Sequence, residues 1–222
     1  MEYSSLIEEL KGYAQPSFQQ FQKGLIFTKY EILGVRTPVL RKLAKKYAKQ
    51  LDEIFSFPNE YYEVVFIKLT IVSTLPFQEF LQYLTSCVSL MDNWALCDSF
   101  KGRCIAKNKR NFLPALEDLF VRGGEFYQRY VLVVLLSEYV QKEYLSLIKE
   151  YLLRADTQHY YIHMAAAWLT AEILIKEYGY GVELLQERAL DVKTHNKAIR
   201  KAIESYRLAL EQKEFLRSLK IK

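Results

Sequence analysis

Thr37-Pro38-Val39-Leu40-Arg41-Lys42-Leu43-Ala44-Lys45-Lys46-Tyr47 is the stretch on which the fold class of this chain turns. A hydroxyl residue ahead of proline reads as a helix entry, because proline at the first helical position gives up an N–H that has no intrahelical partner there. Leu40, Leu43, Ala44 and Tyr47 then recur at helical spacing, as do Leu132, Leu135, Leu136 and Tyr139 far downstream. Strand alternation is hard to find. Phe57-Pro58, Leu75-Pro76 and Leu113-Pro114 mark further helix entries. With 8 Gly and 5 Pro in 222 residues, the chain has too few breakers for a sandwich or barrel that turns every ten residues or so. The pattern predicts an all-α protein with helices at 3–14, 17–24, 37–50, 59–74, 76–91, 93–107, 112–121, 125–140, 142–154, 160–178, 181–190, 195–209 and 211–219.

The first helices of successive pairs are expected near 59, 93, 125, 160 and 195, a recurrence of roughly 34 residues of the kind that marks an α-solenoid. No tetratricopeptide or ankyrin signature repeats with it, so the expected class is a stack of antiparallel helix pairs of the HEAT-like type. Such a stack forms one domain over 1–222 and curves, with one helix of every pair lining a concave groove where an extended ligand can lie.

Half of the residues are hydrophobic, which supports a sizeable core and excludes a disordered tail. The three cysteines, Cys87, Cys97 and Cys104, are odd in number and lack paired metal spacing, so they read as core residues of a reducing cytoplasm. Neither a secretory leader nor a membrane span is legible. His159 and His163 lack a third ligand type nearby and read as surface or capping residues; no metal and no cofactor is expected. The net charge of +5 lies entirely in the last segment, where residues 191–222 carry nine Lys/Arg against four Asp/Glu. A basic end is the footprint of a protein that meets a polyanion, and equally of a solvated helix.

Four residues sit on the first helices of three consecutive pairs: Trp94 and Asp98, Arg129, and Trp168. Trp94 and Asp98 are one turn apart and share a helix face. An indole beside a carboxylate suits a reaction that develops positive charge, since the ring face attracts a cation and the carboxylate stabilises it or orients water. Core packing for the tryptophans and a cap or ion pair for Asp98 are the competing readings. Arg129 is either paired internally or aimed at an anionic ligand.

In order along the chain, Leu33-Gly34-Val35-Arg36-Thr37-Pro38 with Arg41, Asn93-Trp94-Ala95-Leu96-Cys97-Asp98, Tyr127-Gln128-Arg129, Ile162-His163-Met164-Ala165-Ala166-Ala167-Trp168 and Lys197-Ala198-Ile199-Arg200-Lys201-Ala202-Ile203 resemble the HEAT-like-repeat DNA alkylation repair family, the AlkD-type alkylpurine DNA glycosylases. The resemblance implies hydrolysis of the N-glycosidic bond of N3- and N7-alkylpurines in double-stranded DNA by a monomer. It assigns the lesion-facing roles to Trp94, Asp98, Arg129 and Trp168: a carboxylate at Asp98 for the sugar cation and water, indoles against the sugar and backbone, and a phosphate held by Arg129. Lys193, Lys197, Arg200, Lys201 and Arg207 are expected to line the C-terminal end of the groove, with Lys101, Arg103, Lys107, Lys109 and Arg110 extending the track. One departure is visible. The segment Val39 to Phe57 is short, and Phe55 is the nearest counterpart of a tryptophan that touches the duplex in family members. Two other functions compete: a non-catalytic relative that binds DNA structure through its basic wall, and an α-solenoid scaffold for a protein partner.

Overall fold

The computed structural model describes residues 2–222, and among them every regular element is helical. The chain divides into two compact units, residues 1–108 and 109–222. The first holds α1 (Tyr3–Tyr13), α2 (Pro16–Leu25), α3 (Thr37–Lys46), α4 (Leu51–Ser56), α5 (Tyr62–Val72), α6 (Phe77–Ser89) and α7 (Trp94–Ser99). The second holds α8 (Lys109–Arg122), α9 (Glu125–Val134), α10 (Leu145–Arg154), α11 (Tyr160–Lys176), α12 (Tyr178–Gln186), α13 (Val192–Glu204) and α14 (Leu210–Ser218). The all-α reading holds. First helices of the expected pairs begin at Tyr62, Trp94, Glu125, Tyr160 and Val192, within three residues of the expected starts.

Each unit is built on one helix that is apolar nearly all the way round, a pattern that places a helix inside. In the first unit this is α5, buried from Tyr62 to Leu69 and packed by α3, α4, α6 and α7. In the second it is α11, packed by α9, α12 and α13, with Ile162, Leu169, Ile173 and Leu174 in its core face. Helices that open successive pairs therefore lie side by side within each unit: α3, α5 and α7 in one, α9, α11 and α13 in the other.

Buried polar groups on α5 fasten the connections around it. The Glu63 carboxylate accepts the amides of Leu33, Gly34 and Val35 at 3.1, 2.8 and 3.2 Å, while burial pushes its pKa up against the pull of those amides. Lys68 donates to the carbonyls of Phe55 and Phe57 and to Asn59 Oδ1, and burial lowers its pKa to about 8. Gly34 has φ +88°, and a Cβ there would lie 2.7 Å from both the backbone N and the Cβ of Gln19. Gly34→Ala therefore combines a left-handed conformation with a backbone clash, and is expected to destabilise the protein by about 2–4 kcal/mol. A melting curve checks this; an unchanged midpoint would show that the turn relaxes freely.

Several expected boundaries are corrected. The helix expected over 37–50 breaks after Lys46, and α4 follows where no separate helix was expected. Pro58 lies beyond the end of α4 at Ser56, so Phe57-Pro58 closes a helix instead of opening one. Pro114 is the sixth residue of α8, not its entry. One backbone bond is lost there, but Phe112, Leu116, Leu119 and Phe120 are buried on both sides of it and hold the helix continuous. The helix expected over 93–107 ends at Ser99. Phe100 leaves helical geometry, Gly102 sits so close on the Phe80 ring that a Cβ would lie 2.5 Å from it, and Arg103 N donates to Ser73 O at 3.0 Å.

Candidate functional site

The short helix α7 owes its start to Asn93, whose backbone is extended and whose Oδ1 accepts the amide of Leu96 at 3.1 Å. Leu96 and Cys97 are fully buried and anchor one face. Trp94 and Asp98 therefore project from the other, Trp94 with 36% of its surface exposed and Asp98 half-buried. Both line a cleft of about 420 Å³ within the first unit, together with Phe18, Phe21, Arg41 and Lys101. Two cations in the same cleft draw in a polyanion that the carboxylate alone would repel.

Phe55 stands outside that cleft. Its ring packs edge-on against Tyr83 at 4.9 Å, with Lys68 Nζ 5.7 Å from its centre. The aromatics on the N-terminal side of the cleft come instead from α2, where Phe18 and Phe21 stack 6.1 Å apart and Arg36 lies 4.8 Å over the Phe18 ring. Sequence reading missed them because Phe18, Phe21 and Leu25 at helical spacing look like a core face. The arrangement is inverted: Gln22 is the buried residue of α2, and Gln19 Nε2 donates to Ile32 O at 2.5 Å. Three glutamines interleaved with the phenylalanines are the signal that could have shown it.

In the second unit, Arg129 is only 4% exposed. Its Nη1 donates to Tyr161 O at 3.0 Å, and the guanidinium lies 5.6 Å from the Tyr161 ring. Glu125, one turn earlier on α9, accepts the Tyr161 amide at 2.8 Å, so α9 holds the first turn of α11 through both residues. Mid-way along α11, Trp168 is exposed among buried neighbours, with 37% of its surface accessible and Lys201 Nζ 6.0 Å from its ring.

The basic candidates divide. On α13, Lys193, Lys197, Arg200 and Lys201 fall within roughly 100° of one another at 100° per residue, opposite the buried Ala198, Ile199 and Ala202. Asp191 caps this helix by accepting the Thr194 amide at 3.0 Å, and His163 Nδ1 meets Thr194 Oγ1 at 2.9 Å. Arg207 is engaged differently, forking onto Glu172 at 3.1 and 2.7 Å, with Lys176 3.3 Å from the same carboxylate. Burial opposes ionisation of Glu172, but Arg207 and Lys176 together hold its pKa below the ordinary value. A carboxyl with a depressed folded-state pKa contributes stability above its unfolded pKa, and that stability is lost as pH falls through the folded value. Arg207→Gln is thus expected to lower the melting temperature by a few degrees at pH 7, to shrink the difference from wild type on the acid side, and to leave DNA affinity within about twofold. A drop in affinity at unchanged stability would return Arg207 to the phosphate contacts.

His159 is exposed beside Asp156, Cys87 and Cys97 are buried, and Cys104 is half-buried. Among the described residues no group of three or more His, Cys, Asp or Glu is placed to hold a metal ion. No helix among them is long and apolar enough to cross a membrane.

The sequence model of one protein family, DNA alkylation repair enzyme, matches residues 6–206, and the chain belongs to that family. No curated protein matches the chain. Family membership gives the protein a role in DNA repair, with DNA as its substrate or partner.

Proposed function

We propose that the protein is a DNA glycosylase that hydrolyses the N-glycosidic bond of cationic N3- and N7-alkylpurines in duplex DNA. The observation that carries this reading is the pair Trp94 and Asp98, side by side on α7 and open to a cleft that also holds Arg41 and Lys101. An alkylated purine is already cationic and departs as a neutral base, so the reaction needs no strong general acid. What develops is an oxocarbenium on the sugar. Asp98 stabilises that cation and orients the water whose oxygen bonds to the anomeric carbon as the bond to the base nitrogen breaks. The Trp94 ring face adds to the attraction, and Arg41 and Lys101 hold flanking phosphates.

The second unit contributes the basic face of α13 for phosphates and the exposed Trp168 for packing against sugar and backbone. Arg129 acts by holding α11, the helix that carries Trp168, rather than by taking a phosphate itself. On this reading the helix pairs are HEAT-like repeats of one domain over 1–222 that works as a cytoplasmic monomer.

The test is release of free base from duplex DNA bearing 7-methylguanine or 3-methyladenine, followed by chromatography. No release above the spontaneous rate would overturn the enzyme reading. A non-catalytic relative that binds DNA structure is favoured by one observation, the internal engagement of Arg129, and it predicts salt-steep binding without release.

A further inference from the structure

The α7 helix has six residues, too few to sustain its own direction, so its placement is set by what grips its start. That grip is a chain of hydrogen bonds. Asp92 Oδ1 accepts Asn93 Nδ2 at 2.7 Å. A carboxylate only accepts, so the Asn93 amide must turn its NH2 towards Asp92, which leaves Oδ1 to cap the Leu96 amide. The same carboxylate reaches across more than sixty residues, where its Oδ2 accepts Thr28 Oγ1 at 2.8 Å and Lys29 N at 2.7 Å. Tyr30 OH, donating to Leu90 O at 2.7 Å, ties the same two segments a second time.

We propose that Asp92 is a positioning residue: it locks the Thr28–Lys29 segment to Asn93, the residue that caps α7, and thereby fixes where Trp94 and Asp98 stand. Asp92 touches no reacting atom; it acts through Asn93, whose fully buried amide is held from both ends, its NH2 by Asp92 and its Oδ1 by the Leu96 amide. The activity half of this proposal rests on the glycosylase reading, and the placement half does not.

The experiment separates the two. Trp94 and Trp168 are the two tryptophans of the chain, so in a Trp168→Phe background the fluorescence belongs to Trp94. In that background Asp92→Asn and Thr28→Val are expected to make Trp94 more accessible to acrylamide, and Thr28→Ser, which keeps the hydroxyl, to restore the parent value. In the otherwise wild-type protein, Asp92→Asn and Thr28→Val are expected to lower kcat for 7-methylguanine release roughly tenfold to a hundredfold with KM unchanged, and Thr28→Ser to recover it. If Trp94 accessibility is unchanged in both variants, or if Thr28→Ser fails to restore it, Asp92 does not position α7. A loss of helical circular dichroism across the chain in parallel with the quenching change would also overturn the proposal, as the sign of a general structural role. If the wild type releases no base, the glycosylase reading fails and the quenching arm alone decides the placement.

Discussion

Asp98→Asn is expected to bind duplex DNA as tightly as the wild type, or more tightly, while releasing 7-methylguanine about 10²–10³-fold more slowly. The two quantities move apart because the carboxylate does different things to each. On the proposed reading it faces phosphates in the ground state, across a cleft already lined by Arg41 and Lys101, so removing its charge removes a repulsion. In the proposed transition state it faces a sugar that has become cationic, and the amide that replaces it supplies a dipole where a full charge was needed. Loss of that magnitude in kcat and in kcat/KM alike is the pattern of an interaction made only in the transition state. A structural aspartate behaves otherwise: its loss lowers melting temperature, affinity and release together. Measuring all three on one preparation decides the matter, and a parallel decline in all three would remove Asp98 from the chemistry.

The fold was legible because its signals are local. Apolar residues at helical spacing and the Thr37-Pro38 entry require no knowledge of the tertiary structure, and the pair starts at Tyr62, Trp94, Glu125, Tyr160 and Val192 follow from them. Misplaced boundaries arose where a distant contact overrides the local signal. The end of α7 at Ser99 is imposed by Ser73 and Phe80, contributed by α5's cap and by α6, and nothing between residues 93 and 107 announces that. Pro114 misled in the opposite sense, since burial on either side of it outweighs one missing hydrogen bond.

Residue types at the site were legible, but their commitments were not. Trp94 and Asp98 could be paired from their spacing, since one helical turn fixes a shared face. Whether Arg129 meets a ligand or Tyr161 depends on a residue 32 positions away, and the same holds for Arg207 and Glu172, 35 positions apart. A basic residue in sequence is a charge without a partner; only packing shows which charges are already spent. Phe55 illustrates the same limit for aromatics, because its ring is taken up by Tyr83 and Lys68 while Phe18 and Phe21 line the cleft.

Replacing Lys193, Lys197 and Arg200 together with glutamine is expected to weaken duplex binding roughly a hundredfold at 0.1 M salt and to make the slope of log K against log salt shallower by about 3. These three share the solvent face of α13, and among the described residues no acidic partner is committed to any of them, in contrast to Arg207 on Glu172. Charges of that kind are available to displace counterions from phosphates. Because phosphates carry no sequence information, the loss should be equal for different duplex sequences, and for methylated and unmethylated DNA alike. Stability should hold, since the face that builds the second unit is Ala198, Ile199 and Ala202 on the other side of the helix. Lys201 is left in place in this variant because it covers Trp168, so its removal would mix a phosphate effect with a change at the indole. At saturating DNA the rate of base release should match the wild type, which separates α13 from the chemistry on α7. An unchanged salt slope would take this face out of the DNA interface, and a weakened affinity with an unchanged slope would mean that the three residues act through the fold and not through phosphates.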